Sequence, residues 1–196
     1  MKKNNREKIK TVIVSYDEKP GIQGIGNKYP DLMPVEGRHS TIARDYEYKK
    51  HGTLSLLAGI DLISGRISYK IFENHRSCEF IEYLKELESL YPEEKIEIII
   101  DNLIVHTSEE TQKYLATVPG KFEFVFTPKH ASWLNIIESF FSKMVRSILR
   151  EIRVDSLDEL KERISQYIDK INEKPVLFTW KYMMEERYEM PGGITI

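Results

Sequence analysis

Cysteine is almost missing from this chain: Cys78 stands alone among 196 residues. That excludes a disulfide framework and a cysteine-built zinc site, and it fits a reducing cytoplasm. Long apolar runs are missing as well. No stretch approaches the ~20 apolar residues that span a bilayer. The charged start, Met1 to Lys10, leads only into Val12–Val14, too short for a secretory core. Nor is there a surplus of one charge, since 29 Lys and Arg face 31 Asp and Glu for a net charge of −2. Internal repeats, low-complexity tracts and an obvious linker are absent, which excludes solenoid, collagen-like and disordered classes. What is present is an ordinary globular balance, 41% hydrophobic and 31% charged. A chain of this length buries about two-thirds of its unfolded surface, so one domain forms without a staple.

The even charge total hides an uneven distribution. Between Glu79 and Glu97, seven glutamates face Lys85 and Lys95. Between Lys129 and Arg153, the bases Lys129, Lys143, Arg146, Arg150 and Arg153 face Glu138 and Glu151. A polyanion-binding face is therefore allowed, though the totals do not demand one.

Hydrophobic periodicity orders the chain. Lys10–Tyr16 is a β-branched run and hence a strand. Pro20, Gly21, Gly24, Gly26, Pro30 and Pro34 then predict a long loop from Asp17 to about His51. Leu54–Asp61 and Arg66–Phe72 read as two strands around a tight Ser64-Gly65 turn. Phe80, Leu84, Leu87 and Tyr91 recur at helical spacing and predict a helix over Ser77–Leu90, ended by Pro92. Lys95–Ile100 is a buried strand. Thr107–Ala116 is a helix with Ser108 as its cap. Lys121–Phe126 is a fifth strand, and Ser132–Ile152 a long helix. Ser156 and Glu159 form a capping box ahead of a last helix, Leu157–Asn172, closed by Pro175. The order predicts a mixed α/β sheet with helices on its faces.

Three acids stand out by placement. Asp17 follows the first strand, Asp101 follows the fourth, and Glu138 interrupts the apolar segment Trp133–Phe141. Functional groups in α/β sheets gather at the carboxyl ends of strands. If the first and fourth strands are parallel neighbours, Asp17 and Asp101 come together. At ~100° per residue, Glu138 lies between the apolar face of its helix and a basic stripe of Lys143, Arg146, Arg150 and Arg153. A carboxylate at such an edge is costly if buried without compensation. Clustered carboxylates without Cys or His ligands favour a hard cation, Mg²⁺ or Mn²⁺. The same residues also fit plainer roles. An Asp after a strand caps turns, Asp101-Asn102 can form an Asx turn, and Glu138 can pair with Lys143 or Arg146 on the surface.

The segments SYDEKPGIQ around Asp17, IIIDNLIVHTS around Asp101 and FTPKHASWLNIIESFF around Glu138 together resemble the catalytic motifs of DDE transposases. The resemblance is in particular to bacterial insertion-sequence transposases allied to the mariner group. It extends from about Lys10 to Tyr182 and includes the ending NEKPVLFTWKY. Its most specific part is Pro128, Lys129, Ser132, Trp133, Leu134, Asn135 and Glu138, with 36 residues between Asp101 and Glu138.

That resemblance implies an RNase H-like, retroviral-integrase-like fold: a mixed five-stranded sheet flanked by helices. Asp17, Asp101 and Glu138 would be the catalytic residues and hold two Mg²⁺ or Mn²⁺ ions. Water would cut DNA at transposon ends, and the freed 3′-hydroxyl would attack target DNA without a covalent enzyme intermediate. A homodimer would synapse two ends in a bacterial, nucleoid-associated setting. Such transposases usually carry an N-terminal helix-turn-helix region, yet only about ten residues precede the first strand here. The expected organisation is an extension over 1–10, a catalytic domain over 11–182 with an inserted loop at 17–53, and a tail over 183–196. The chain then corresponds to the catalytic half, an excised domain or one product of a split frame. Two alternatives stay open: a nuclease of the same fold that hydrolyses without joining, and a non-catalytic DNA-binding or assembly module.

Supporting residues carry paired readings. Asn102 and His106 orient Asp101 or contact phosphate, or they serve turns and caps. Lys129 and His130 precede the helix of Glu138, whose N-terminus suits a phosphate, or they lie in an exposed loop. Asn135 supports Glu138 from one turn away, or faces solvent. Trp133 is core, or a base-stacking platform. Lys143, Arg146 and Arg150 contact the DNA backbone, or form a solvated face. Arg38, His39, Arg44, Lys49, Lys50 and His51, interleaved with Tyr46 and Tyr48, could track a strand or serve a partner contact. Glu18 alternates to the other face of an extended chain, which leaves Asp17 as the preferred ligand.

Overall fold

The computed structural model describes residues 10–38, 40–42, 47–128 and 136–177. Strands β1 (Thr11–Asn27), β2 (Tyr48–Asp61) and β3 (Ile67–Phe72) are followed by helix α1 (Ser77–Leu90) and strand β4 (Lys95–Ile100). Then come α2 (Ile104–Thr107), α3 (Glu109–Thr117), β5 (Phe122–Phe126), α4 (Ile137–Met144) and α5 (Leu157–Asn172). One five-stranded sheet results, ordered β3-β2-β1-β4-β5. β1 pairs antiparallel with β2, and β2 with β3. β1 pairs parallel with β4, and β4 with β5. Among the described residues, no helix is long and apolar enough to cross a membrane.

The sheet is covered on both faces, and strand alternation decides which side chain goes where. Val12, Val14 and Tyr16 of β1 join Leu57, Ile96, Ile98 and Ile100 against Phe80, Tyr83, Leu84 and Leu87 of α1. Leu54, Leu56, Ala58 and Ile60 of β2 pack on the other face against Ile137, Phe140 and Met144 of α4 and Leu160, Ile164 and Ile168 of α5. Each helix presents apolar residues at three- and four-residue spacing to its own side of the sheet.

The expected loop over 17–53 is a correction. β1 runs to Asn27, and β2 begins at Tyr48, forming a long two-stranded arm in which Asn27 still pairs with Tyr48. Proline and glycine misled because their positions neutralise their cost. β1 pairs with β4 only over Thr11–Ser15, so Pro20 lies where β1 has a single partner and its missing N–H is tolerated. A register shift between Lys19 and Ile22 accommodates Pro20 and Gly21, which has φ +70°. Gly24 faces Gly52 across the ladder. Leu157 of α5 sits over this pair, 2.9 Å from where either residue's Cβ would be. These glycines are a packing seat, not a loop.

Two helix boundaries also differ from expectation. The helix expected over Thr107–Ala116 is two, α2 and α3, divided at Ser108, whose side chain accepts from Thr111 N at 3.3 Å. The long helix expected over Ser132–Ile152 is seen as α4 followed by a π-helical turn, Val145–Leu149, closed by Arg150 N donating to Val145 O at 2.8 Å. Its expected first turn, with Trp133, lies outside the described residues. The helices Ser77–Leu90 and Leu157–Asn172 have the expected bounds. Ser156 caps α5, its side chain accepting from Glu159 N at 3.1 Å. Asp61 serves the β2–β3 turn, accepting from Ile63 N at 2.8 Å and Ser64 Oγ at 2.6 Å.

Candidate active site

The sheet topology brings the two aspartates to one edge. The last parallel pair of β1 and β4 is Ser15 with Ile99, so Asp17 and Asp101 each lie two residues beyond it. Alternation turns Ser15 and Asp17 to the α4 face, and Tyr16 and Glu18 to the α1 face. Ile137 N, at the start of α4, approaches Ser15 Oγ at 3.4 Å, which sets the helix over β1. Ile137, Phe140 and Met144 then sink into the core. Glu138 is left at the rim of a cleft of about 410 Å³ shared with Asp17, Glu18, Lys19, Phe141, Ser142, Val145 and Arg146.

Asp17 feels the charges of both Asp101 and Glu138. Burial, first, raises the Asp17 carboxyl from its ordinary 3.8 to about 7. The Glu18 N–H, donating to Asp17 Oδ1 at 2.8 Å, opposes the rise. The charges of Glu18, Asp101 and Glu138 reinforce it. Burial also raises the Glu138 carboxyl. Asp17 is thus held back from ionising by burial and by the charges of its acidic neighbours, and a cation at this carboxylate is a physical remedy.

Asp101 sits on a short turn. Its Oδ1 accepts from Leu103 N at 3.2 Å, and Asn102 Nδ2 donates to Thr127 O at 3.2 Å, tying the ends of β4 and β5 together. His106 lies beneath them, fully buried. One ring nitrogen, Nδ1, is 3.0 Å from the Asp101 carbonyl oxygen and 3.2 Å from Asp101 Oδ1. The other, Nε2, is 2.9 Å from Glu18 Oε1. Burial favours the neutral ring, but the hydrogen bond and charge of Glu18, with Asp101, outweigh it and hold the imidazole above its ordinary value.

Glu18 is the residue that sequence reasoning undervalued. Alternation does send it away from Asp17's face, but there it meets His106. The sequence offers only a second acid beside Asp17 and a histidine five residues after Asp101; their meeting is made by the fold. Donor atoms of Glu18, Asp101 and His106 lie within 4.8 Å of one another. We read the trio as a hydrogen-bonded chain. Each ring nitrogen already faces a different carboxylate residue, and a cation between them would have to displace one contact.

The basic stripe divides. Arg146 lines the acidic cleft. Arg150 and Arg153 line a second cavity of about 260 Å³ with Gln23 and Leu149. Both cavities include Lys19 and Val145, so they form one groove between β1 and the α4–π-turn segment. Lys143 is exposed and lines neither. Tyr48, Lys49, Lys50 and His51 belong to β2. Lys129, His130, Asn135, His39, Arg44 and Tyr46 lie outside the described residues.

A sheet of this topology, with carboxylates just past the parallel β1–β4 pairing and on a following helix, defines a class. The family description "DDE superfamily endonuclease" matches residues 12–161, and the chain belongs to that family. A Shigella sonnei relative, the insertion element IS630 uncharacterized 39 kDa protein, is 29% identical over 113 residues, covering 57% of this chain and 33% of that one. Mos1 transposase in a paired-end complex with the left transposon end superposes with TM-score 0.57 at 19% identity, over 80% of this chain and 47% of that one. The catalytic domain of Mos1 mariner transposase gives 0.53 at 16% identity, over 80% and 69%. The fold is thus RNase H-like, as expected. The chain spans about a third of the insertion-element relative and about half of the Mos1 chain in the paired-end complex.

Proposed function

We propose that this chain is the catalytic domain of an insertion-sequence transposase, cutting DNA at transposon ends and joining the freed 3′-end to target DNA. One observation carries the reading. The Asp17 carboxyl is raised to about 7 by burial first, and then by the charges of Glu18, Asp101 and Glu138, which supports a shared acidic site for the three. The donor set fits a hard divalent cation, being carboxylate oxygens whose mutual repulsion a cation would relieve. These three residues would hold two Mg²⁺ or Mn²⁺ ions. Bound there, the ions supply nucleophile activation and charge neutralisation for phosphodiester chemistry.

The protein's own residues orient and bind. Asn102 and His106 steady the turn that carries Asp101, and Asn135 supports Glu138. Arg146 and Arg150 offer cations along the groove to a DNA backbone, and Lys143, with Lys129 and His130, would add phosphate contacts. Two copies acting on two transposon ends form the working unit, and a helix-turn-helix region supplies end recognition. The setting is the bacterial cytoplasm. The similar fold of Mos1 transposase, seen in a paired-end complex with a transposon end and in a strand transfer complex, supports action on DNA ends.

The test is Asp101→Asn on a DNA duplex carrying the transposon end, with Mg²⁺ or Mn²⁺. The expected result is loss of nicking and joining with an unchanged circular dichroism spectrum. A fully active variant overturns the proposal, and hydrolysis without joined product in the wild type reassigns the chain to a nuclease.

A further inference from the structure

We propose that Glu18 and His106 form a positioning pair that fixes where Asp101 presents its carboxylate, an inference that rests on the acidic site proposed above. Asp101 needs such help. Its side chain is 44% exposed, and it stands on a connection of three residues between β4 and the four-residue helix α2. A half-exposed carboxylate on so short a turn samples several rotamers unless something holds it.

His106 supplies the hold from below. Its ring is wholly buried, 4.7 Å from the Phe80 ring and edge-on to Tyr16 at 5.8 Å. Nδ1 reaches both the carbonyl oxygen of Asp101 and its Oδ1, gripping backbone and side chain together. Nε2 is anchored by Glu18 Oε1, which also accepts from the Tyr16 hydroxyl at 2.9 Å. The Glu18 side chain is only 6% exposed, and its Oε2 has no hydrogen-bond partner among the described residues. Burying a carboxylate and an imidazole together is expensive, and apolar side chains would fill this space at lower cost. Thr111 Oγ1, donating to Val105 O at 2.9 Å, ties α3 to α2 and stiffens the frame that carries the ring.

The chain runs from β1, where Asp17 stands next to Glu18, through His106 to the turn after β4. It therefore sets the separation of the two aspartates from beneath. With each ring nitrogen of His106 already facing a carboxylate residue, the pair acts through Asp101. Residues that orient metal ligands typically change affinity 10- to 100-fold when lost.

The experiment is Mn²⁺ titration of the whole chain, free Mn²⁺ being read by electron paramagnetic resonance, with thermal unfolding measured on every variant. Wild type, His106→Leu, Glu18→Leu, Glu18→Gln and Asp101→Asn are compared. His106→Leu and Glu18→Leu are expected to weaken Mn²⁺ binding ~10- to 100-fold. Glu18→Gln can donate its amide N–H to Nε2 of a neutral ring and leave Nδ1–H for Asp101, so it is expected to stay within about threefold. In an Asp101→Asn background, His106→Leu is expected to add nothing, the coupling that a merely structural histidine would not show. Wild-type affinity in His106→Leu, additive losses in the double variant, or a loss in Glu18→Gln as large as in Glu18→Leu each overturn the pair. A wild type that takes up no more Mn²⁺ than Asp101→Asn overturns the acidic-site reading itself, and the pair with it.

Discussion

Asp17→Asn is expected to stabilise the metal-free protein above neutral pH while destroying its activity. The Asp17 carboxyl rises from 3.8 to about 7 on folding. A group whose folded pKa is raised favours folding most when protonated, and that advantage is lost as pH climbs from the unfolded to the folded value. Above about pH 7, folding therefore has to accommodate a carboxylate that burial and three acidic neighbours oppose. A shift of about three pK units corresponds to ~4 kcal/mol at most. Solvent at the open cleft and local relaxation reduce it to ~2 kcal/mol. At ~2–4 °C per kcal/mol for a domain of this size, Asp17→Asn gains ~4–8 °C in Tm at pH 8. The asparagine Oδ1 still accepts from Glu18 N–H, so this local hydrogen bond in β1 is kept.

The assay is thermal unfolding of both proteins in a chelator, from pH 5 to pH 8. The gain grows with pH and levels off above about 7. Saturating Mn²⁺ closes the gap by stabilising the wild type more than the variant. A variant less stable than the wild type at pH 8, or a difference independent of pH, refutes the electrostatic reasoning.

Three further outcomes follow from the same geometry. Phe140→Ala, in the fully buried centre of α4, is expected to cost ~3–5 kcal/mol in urea unfolding, since it opens a cavity against β2 and α5. Gly52→Ala is expected to cost ~1–3 kcal/mol, because φ is +128° there and the new methyl group meets Leu157; wild-type stability would show the glycine seat to be dispensable. Arg150→Gln is expected to weaken DNA binding and to lower the slope of log affinity against log salt by about one, as removal of one phosphate contact does; an unchanged slope removes Arg150 from the DNA path.

How much was legible varied with the kind of signal. Periods of two and of three to four residues announced β4, α1 and α5, because each buries a regular apolar face. The placement of Asp17 and Asp101 at equivalent positions was legible because both follow the parallel pairing of β1 with β4 by the same two residues. The β1–β2 arm was hidden. Pro20, Gly24 and Gly52 read locally as loop formers, and only the long-range facts of a single ladder partner and of Leu157 overhead explain them. The π-turn after α4 was hidden too, since a helix pattern does not disclose one added residue per turn. Alternation placed Glu18 on the face away from Asp17, but nothing local shows that His106, 88 residues on, waits there.

The most direct test is a crystal structure of this chain with Mn²⁺ and a short DNA end, with ions located by their anomalous scattering. The expected result is Mn²⁺ within about 2.0–2.3 Å of carboxylate oxygens from Asp17, Asp101 and Glu138. Mn²⁺ bound elsewhere, with those three carboxylates ion-free beside bound DNA, contradicts the proposed catalytic site.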